Sequence, residues 1–289
     1  MDKSDALVRV VIAYVVALCA GGATLVLVNY NPLLDILIAD LVATLVVYLF
    51  SRAYRNCSFY DAYWSVAPPI IALYWMIVGA SSVSTARELL LMALILYWAT
   101  RLTLNWAYHW EGMQHEDWRY IDLRAKTPGP ALLVDFFAVH LFPTLQVFLG
   151  LLPVYAVYIL AERVFNWLDL VAILVTGAAI TLQMVADFQL HAFIRNRKAG
   201  EHLDRGLWGW SRHPNYFGEL GFWFGLFLFG LAASPSGWYW QISGFICMLL
   251  MFVFASVPMM EQRSLKRRPD YQQVIDSVSM LLPWPPRNR

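Results

Sequence analysis

Runs of apolar residues separated by short polar connections recur along the whole chain. They are close to the ~20 residues that a helix needs to cross the hydrocarbon layer of a bilayer. Eight such runs are predicted, over 10–29, 33–50, 62–79, 88–108, 131–160, 167–189, 214–233 and 238–258. The fifth is long and carries Pro143 and Pro153. It is expected to be kinked, tilted or partly interfacial, because proline deletes a helix hydrogen bond and crowds the preceding turn. Connections at 30–32, 161–166 and 234–237 are short enough to make sequential helices antiparallel neighbours. The loops at 109–130 and 191–213 are longer and polar, the places where function gathers on a rigid scaffold. The pattern predicts an all-α fold, a polytopic membrane helix bundle of seven to eight transmembrane helices. Residues 1–289 are expected to form one integral membrane domain, with 1–60 peripheral and the functional core over 88–289.

Composition agrees with that class: 60% of residues are hydrophobic and 14% charged. A formal net charge of +1 and the lack of a long basic block give no reason to expect nucleic-acid binding. Loop charge tests the span count independently. With eight spans, one side of the membrane collects all of the 21 Lys and Arg residues except Arg87 and Arg163, which fall on the other, and Arg101, which lies inside the fourth span. The basic side is cytoplasmic by the positive-inside rule, which puts both termini there. Cys19, Cys57 and Cys247 are widely spaced and show no zinc or disulfide pattern. The first apolar run is too long for a signal-peptide core and is expected to be a retained helix.

Five ionisable residues interrupt the apolar runs: Asp61, Arg101, Asp187, Glu219 and Glu261. Each alone is explained by a side chain that snorkels to water. All five fall toward the cytoplasmic ends of their spans, interleaved with Tyr60, Asn105, Gln189, Asn215 and Tyr216, and this predicts one polar cavity open to the cytosol. Residues 206–223, GLWGWSRHPNYFGELGFW, are central to it. Aromatic and basic anchors are normal at the headgroup level. A carboxylate one turn into the helix is not, and Asn215 shares the helical face of Glu219 at i−4. Around the predicted mouth stand Arg119, Tyr120, Arg195, Arg197, Lys198, Arg267 and Arg268. Guanidinium groups suit a polyanionic cofactor, although anionic lipid headgroups would attract the same charges.

Other chemistries lack their signatures. The sequence has no GxGxxG after a strand, no P-loop, no HExxH and no GxSxG elbow. Gly218, Gly221 and Gly225 read as a helix-packing face. His140, in an apolar run, reads as an interior hydrogen-bonded histidine.

The run from Gly206 through Ser211-Arg212-His213-Pro214-Asn215-Tyr216 to Glu219, with Asp187 and Gln189 upstream and Pro258, Glu261, Arg268, Tyr271 and Pro283 downstream, resembles the steroid 5-alpha-reductase superfamily. The likeness is closest to its bacterial members of unknown function and strongest over the C-terminal third. It implies a helical membrane reductase that takes hydride from NADPH and delivers it to an activated C=C bond of a lipophilic substrate, a steroid-like 3-oxo-4-ene, an isoprenoid or an enoyl lipid. Carried over by motif, Asn215 and Glu219 would meet the nicotinamide end and Asp187 the middle of the cofactor. Arg119, Tyr120, Arg195 and Arg197 would meet its phosphates or adenosine. Arg101 would bridge the fourth helix to it, and Glu261 would line the same cavity. Asn105, Ser211, Arg212, His213, Tyr216, Arg268 and Tyr271 join that cofactor-binding set, and no metal is implied. The steroid-reducing members use a Gln-Glu pair and a later Tyr to polarise the substrate carbonyl; the matching stretch here, 58–65, offers Tyr60 and Asp61 instead.

Reduction of a conjugated carbonyl compound needs an electrophile at the oxygen and a proton as well as the hydride. Tyr60, supported by Asp61 or Tyr97, is the expected acid. Two other classes remain open. An RHPxY motif also begins a late helix in the isoprenylcysteine carboxyl methyltransferases, which bind S-adenosylmethionine. A lipid-binding membrane protein without enzymatic activity would use the same arginines for headgroups.

Overall fold

The computed structural model describes residues 2–79, 83–198 and 200–286. Arg287 and Arg289, counted above with the basic side, lie outside the described residues. Among those described there is no strand. Ten helices carry the architecture: α1 (Lys3–Leu27), α2 (Pro32–Tyr54), α3 (Tyr63–Val78), α4 (Thr85–His109), α5 (Trp118–Lys126), α6 (Ala131–Gly150), α7 (Leu152–Ile159), α8 (Trp167–Asn196), α9 (Pro214–Ala233) and α10 (Pro235–Arg267). Seven of them, all but α3, α5 and α7, are long and apolar enough to cross a membrane.

The contacts show how the chain alternates between two ends. At one end, Trp75 near the close of α3 donates to Pro32 O at the start of α2 (3.0 Å), and Tyr158 in α7 donates to Glu88 O at the start of α4 (3.0 Å). At the other end, Lys3 Nζ reaches Tyr108 O (2.7 Å), and Arg212 N, just before α9, reaches Ser279 O (2.8 Å). The 16-residue α3 therefore runs between the same two levels as its longer neighbours, and the first and last described segments lie at one end of the bundle.

Local sequence sets the helix starts. Asn31 Oδ1 accepts from Leu33 N (3.1 Å) and Leu34 N (3.0 Å), with Pro32 in the first turn. Asn166 and Asp169 form a reciprocal capping box at α8. The long fifth run is broken as its prolines require. Residues 135–141 take a π-helical turn just before Pro143, and the helix stops at Leu151 and restarts with Pro153 in its first turn. A second π-turn, 252–256, precedes Pro258 in α10, which runs on to Arg267, well beyond the expected end at 258. Likewise α8 continues past 189 to Asn196.

The glycine stripe of α9 faces α8. A methyl group on Gly218 would stand 2.6 Å from Gln183 Cγ, and one on Gly221 2.9 Å from Ala179 Cβ. That close approach brings the polar ends of α8 and α9 together. α4 is tied to both: Trp98, fully buried, stacks on Phe222 at 4.3 Å, and α5 lies across the end of the bundle at which α4 and α8 finish.

Candidate functional site: a polar chamber at one end of the bundle

A cavity of about 560 Å³ opens among α3, α4, α5, α6, α8, α9 and α10. Ten residues singled out from the sequence line it: Tyr60, Asp61, Arg101, Asn105, Arg119, Tyr120, Asp187, Asn215, Tyr216 and Glu219. Its opposite wall is apolar, with Val139 and Val147 from α6 and Met248, Met251 and Phe252 from α10.

The polar wall starts from Arg101, whose Nη1 donates to Asp187 Oδ2 (2.7 Å) and whose Nη2 donates to Gln183 Oε1. Asp187 and Gln183 are one turn apart on α8, so they present one face to α4. Glu219 is 7% exposed and is held by two indole donors, Trp223 Nε1 at 2.8 Å and Trp98 Nε1 at 3.2 Å. Asn215, one turn earlier on α9, shares its chamber-facing side, and Tyr216 is stacked between His213 (5.4 Å) and Phe252 (4.6 Å).

Four N–H donors of residues that line the chamber are buried and have no hydrogen-bond acceptor: Arg101 Nε, Trp106 Nε1, Gln146 Nε2 and Gln183 Nε2. A buried donor without a partner costs about 1–3 kcal/mol, so four among the lining residues leave this region short of acceptors. Glu219 adds an acceptor of the opposite kind.

The short α5 forms the floor. Asp117 caps it, accepting Arg119 N (2.8 Å), and also accepts the guanidinium through two bonds, from Nε (2.9 Å) and Nη2 (2.8 Å). Burial alone would push the Asp117 carboxyl up, but the charge and hydrogen bonds of Arg119 outweigh it and hold Asp117 below the usual range. Arg119 therefore reaches the chamber with two of its three nitrogens already engaged. Arg263 of α10 lies over the Trp118 ring, 3.8 Å from its centroid, and Arg124 bridges Glu116 and Asp135, the latter at 3.0 Å. Tyr120 donates to Asp61, whose carboxyl burial pushes up to about 6 in spite of that bond.

The acid expected from the sequence is assembled differently. Asp61 is engaged by Tyr120 of α5, whereas the Tyr60 hydroxyl meets Thr144 Oγ1 of α6 at 2.8 Å. Tyr97 lies away from the chamber: it is 45% exposed and its hydroxyl contacts Met184 Sδ at 3.6 Å. It sits four residues before Arg101, yet α4 carries it to the outer flank while Arg101 turns inward between α8 and α9.

Several residues of the expected cofactor set do other work. Arg212 Nε binds Glu261 Oε1 at 2.6 Å, and its Nη1 binds the carbonyls of Ile275 (2.9 Å) and Val278; His213 Nε2 meets the same Glu261 oxygen at 3.3 Å. Ser211 Oγ accepts from His213 N (3.2 Å). This cluster bolts the C-terminal segment to the start of α9 and lies behind the chamber wall. Arg268 donates to Glu201 O (2.9 Å) and its guanidinium lies 5.7 Å from the Tyr271 ring centroid, holding the loop after α8 to the tail. Arg195 and Arg197 are exposed at the end of α8 and do not line the chamber.

Gln183, Gln146, Trp106, and the stacked pair His109 and His191 (3.6 Å between centroids) also line the chamber. Gln183 had a legible signal, its i−4 spacing from Asp187. Gln146 and Trp106 had none, since a lone polar or aromatic residue in an apolar run does not say what it faces.

Fold and chamber together define a polytopic helical membrane protein with a cavity, polar on one wall, at one end of the bundle. The chain belongs to the family described as "Protein of unknown function (DUF1295)", whose model matches residues 47–278. It is also 27% identical over 280 residues to "Uncharacterized protein C594.04c" of Schizosaccharomyces pombe, a similarity covering 88% of this chain and 80% of that protein. No solved structure matches the chain.

Proposed function

We propose that the chain is a membrane-embedded, NADPH-dependent reductase of the steroid 5-alpha-reductase superfamily, acting on an activated C=C bond of a lipophilic substrate from the cytoplasmic face of a bacterial inner membrane. The observation that carries this reading is the set of four unpartnered buried donors on residues that line one chamber. A reduced dinucleotide is rich in acceptors, in its phosphates, sugar oxygens and carboxamide carbonyl, and its carboxamide N–H₂ gives Glu219 something to accept. S-adenosylmethionine, with one carboxylate and no phosphates, answers fewer of these donors.

Arg101, Gln183 and Gln146 would hold the acceptor groups of the cofactor, and Asn215 and Glu219 its amide end. When bound, NADPH supplies the hydride. The chain's own residues do the rest. The apolar wall of Val139, Val147, Met248, Met251 and Phe252 excludes water and accepts a hydrocarbon body. Tyr60 offers a hydroxyl to the substrate oxygen, where general acid catalysis is worth about 10²–10⁴-fold.

Titration of the detergent-solubilised protein with NADPH, followed by tryptophan fluorescence, tests the reading. Saturable binding is expected, with Asn215→Ala and Glu219→Gln each weakening it by at least about tenfold, equal to ~1.4 kcal/mol. Saturable binding of S-adenosylmethionine in its place would transfer the chain to the methyltransferase class, and binding of neither would leave a lipid-binding protein.

A further inference from the structure

Behind Tyr60, on the side away from the chamber, a file of hydroxyl groups leads into α2. Tyr60 OH and Thr144 Oγ1 are 2.8 Å apart, and Thr144 Oγ1 and Thr44 Oγ1 2.9 Å. Tyr63 OH donates to Asp40 Oδ1 at 2.8 Å, and Thr44, one turn after Asp40 on α2, neighbours the Tyr63 oxygen, the one step of the file that no hydrogen bond closes in the resting structure. Every member is buried: Tyr60 is 2% exposed, Thr144 3%, Thr44 1%, Tyr63 6% and Asp40 7%. Asp40 lies mid-way along α2 and lines a second recess, of about 100 Å³, between α1, α2 and α3. Tyr14 shares that recess, but its hydroxyl is committed to Phe59 O at 2.7 Å.

A carboxyl at that depth is costly unless it serves a pathway, and a file of hydroxyls has a direction. An ionised carboxylate only accepts. With Asp40 ionised, Tyr63 donates to it, Thr44 to Tyr63, Thr144 to Thr44 and Tyr60 to Thr144, so Tyr60 shows the chamber lone pairs alone. With a proton on Asp40 the file can reverse, and Tyr60 then points its O–H into the chamber.

We propose that Asp40 is the proton reservoir for Tyr60, acting through Tyr63, Thr44 and Thr144 as a relay that spans two helices. This rests on the reductase reading for its purpose. In one concerted shift the O–H bond of Asp40 breaks, each of the four hydroxyls gives up one proton and gains one, and the substrate oxygen, negative once its conjugated C=C has been reduced, gains the last. Asp40 is left as the carboxylate and recovers its proton from water between turnovers. Asp40 touches neither cofactor nor substrate and is a positioning residue. It and Thr44 also precede the residues matched by the family model, 47–278.

The infrared spectrum of the unliganded protein in detergent at neutral pH provides a test that needs no turnover. Wild type is expected to show a carboxylic-acid carbonyl band that Asp40→Asn removes and Thr144→Val, which interrupts the file without touching Asp40, shifts. With NADPH and a 3-oxo-4-ene steroid as probe enone, Asp40→Asn and Thr144→Val are each expected to lower kcat by about 10²-fold at unchanged KM, with partial recovery in Asp40→Glu. Failure of wild type to bind NADPH would defeat the reductase reading while the infrared bands still decide the relay. No band lost in Asp40→Asn, or a band indifferent to Thr144→Val, would overturn the relay itself.

Discussion

Two Arg–Asp pairs join α4 to α8, one at each end of the bundle, and they are built to opposite specifications. At the far end, Arg87 Nε and Nη2 grip Asp169 at 2.6 and 2.8 Å, Nη1 donates to the carbonyl of Arg163 (2.6 Å), and Nη2 also reaches those of Val164 (2.9 Å) and Ala232 (3.4 Å), so each guanidinium nitrogen has an acceptor. Both residues are at most 1% exposed, and the pair closes on itself. At the chamber end, Arg101 reaches Asp187 with one nitrogen and Gln183 with another, while its Nε is buried without a partner. The same residue types on the same two helices thus make a lock in one place and, on the proposed reading, a receptor in the other. The difference is whether backbone carbonyls crowd in to use up the guanidinium fork.

The comparison breaks most visibly at Arg87. Arg87→Ala strands a buried carboxylate, and a loss of about 3–5 kcal/mol is expected, read as a lowered thermal midpoint in detergent with the chamber end unaltered until unfolding. Next in size is Arg101→Ala, which is expected to weaken NADPH binding by roughly 10–100-fold, the worth of one or two hydrogen bonds to a charged group, while the thermal midpoint moves far less than for Arg87→Ala. Equal destabilisation by the two variants would erase the distinction between lock and receptor.

The smallest effect concerns the floor. Asp61 is raised in the folded protein to about 6 from an ordinary 3.8, so the folded state binds the proton more tightly. Its contribution to stability is full below the ordinary value and is lost as pH rises through about 6. Asp117 is depressed and acts oppositely, its contribution present above the ordinary value and lost as pH falls. Asp61→Asn should therefore compare more favourably with wild type above pH 6 than near pH 4, in thermal melts across that window. A constant offset between the two would show that Asp61 does not titrate there.

Much of the outline was legible because lipid imposes a length. Apolar runs in the sequence located every long helix to within a few residues at most ends, and Pro143 and Pro153 marked where the fifth would break. The glycines of α9 were readable as a packing face, and ten of the residues gathered by their polar character do share one chamber. The sequence misassigned roles where an arginine has more than one neighbour to choose from. Arg212 and Glu261 sit beside cavity residues in the chain, yet they bind each other and the C-terminal segment. Tyr97 and Arg101 are one turn apart, and only packing against α8 and α9 determines that the first faces out and the second in.

By itself the chain fixed what a bilayer and local chemistry can enforce: helices of spanning length, their caps and breaks, and a concentration of polar groups toward one end. Partnership was decided only by tertiary structure. Arg101 finds Asp187 86 residues away and Tyr60 finds Thr144 84 residues away. Periodicity says which face of a helix a residue occupies, whereas close helix contacts and the turns at 135–141 and 252–256 settle which faces meet. That is why the chamber's members could be gathered from sequence while the open valence of Arg101, and the hydroxyl file behind Tyr60, could not.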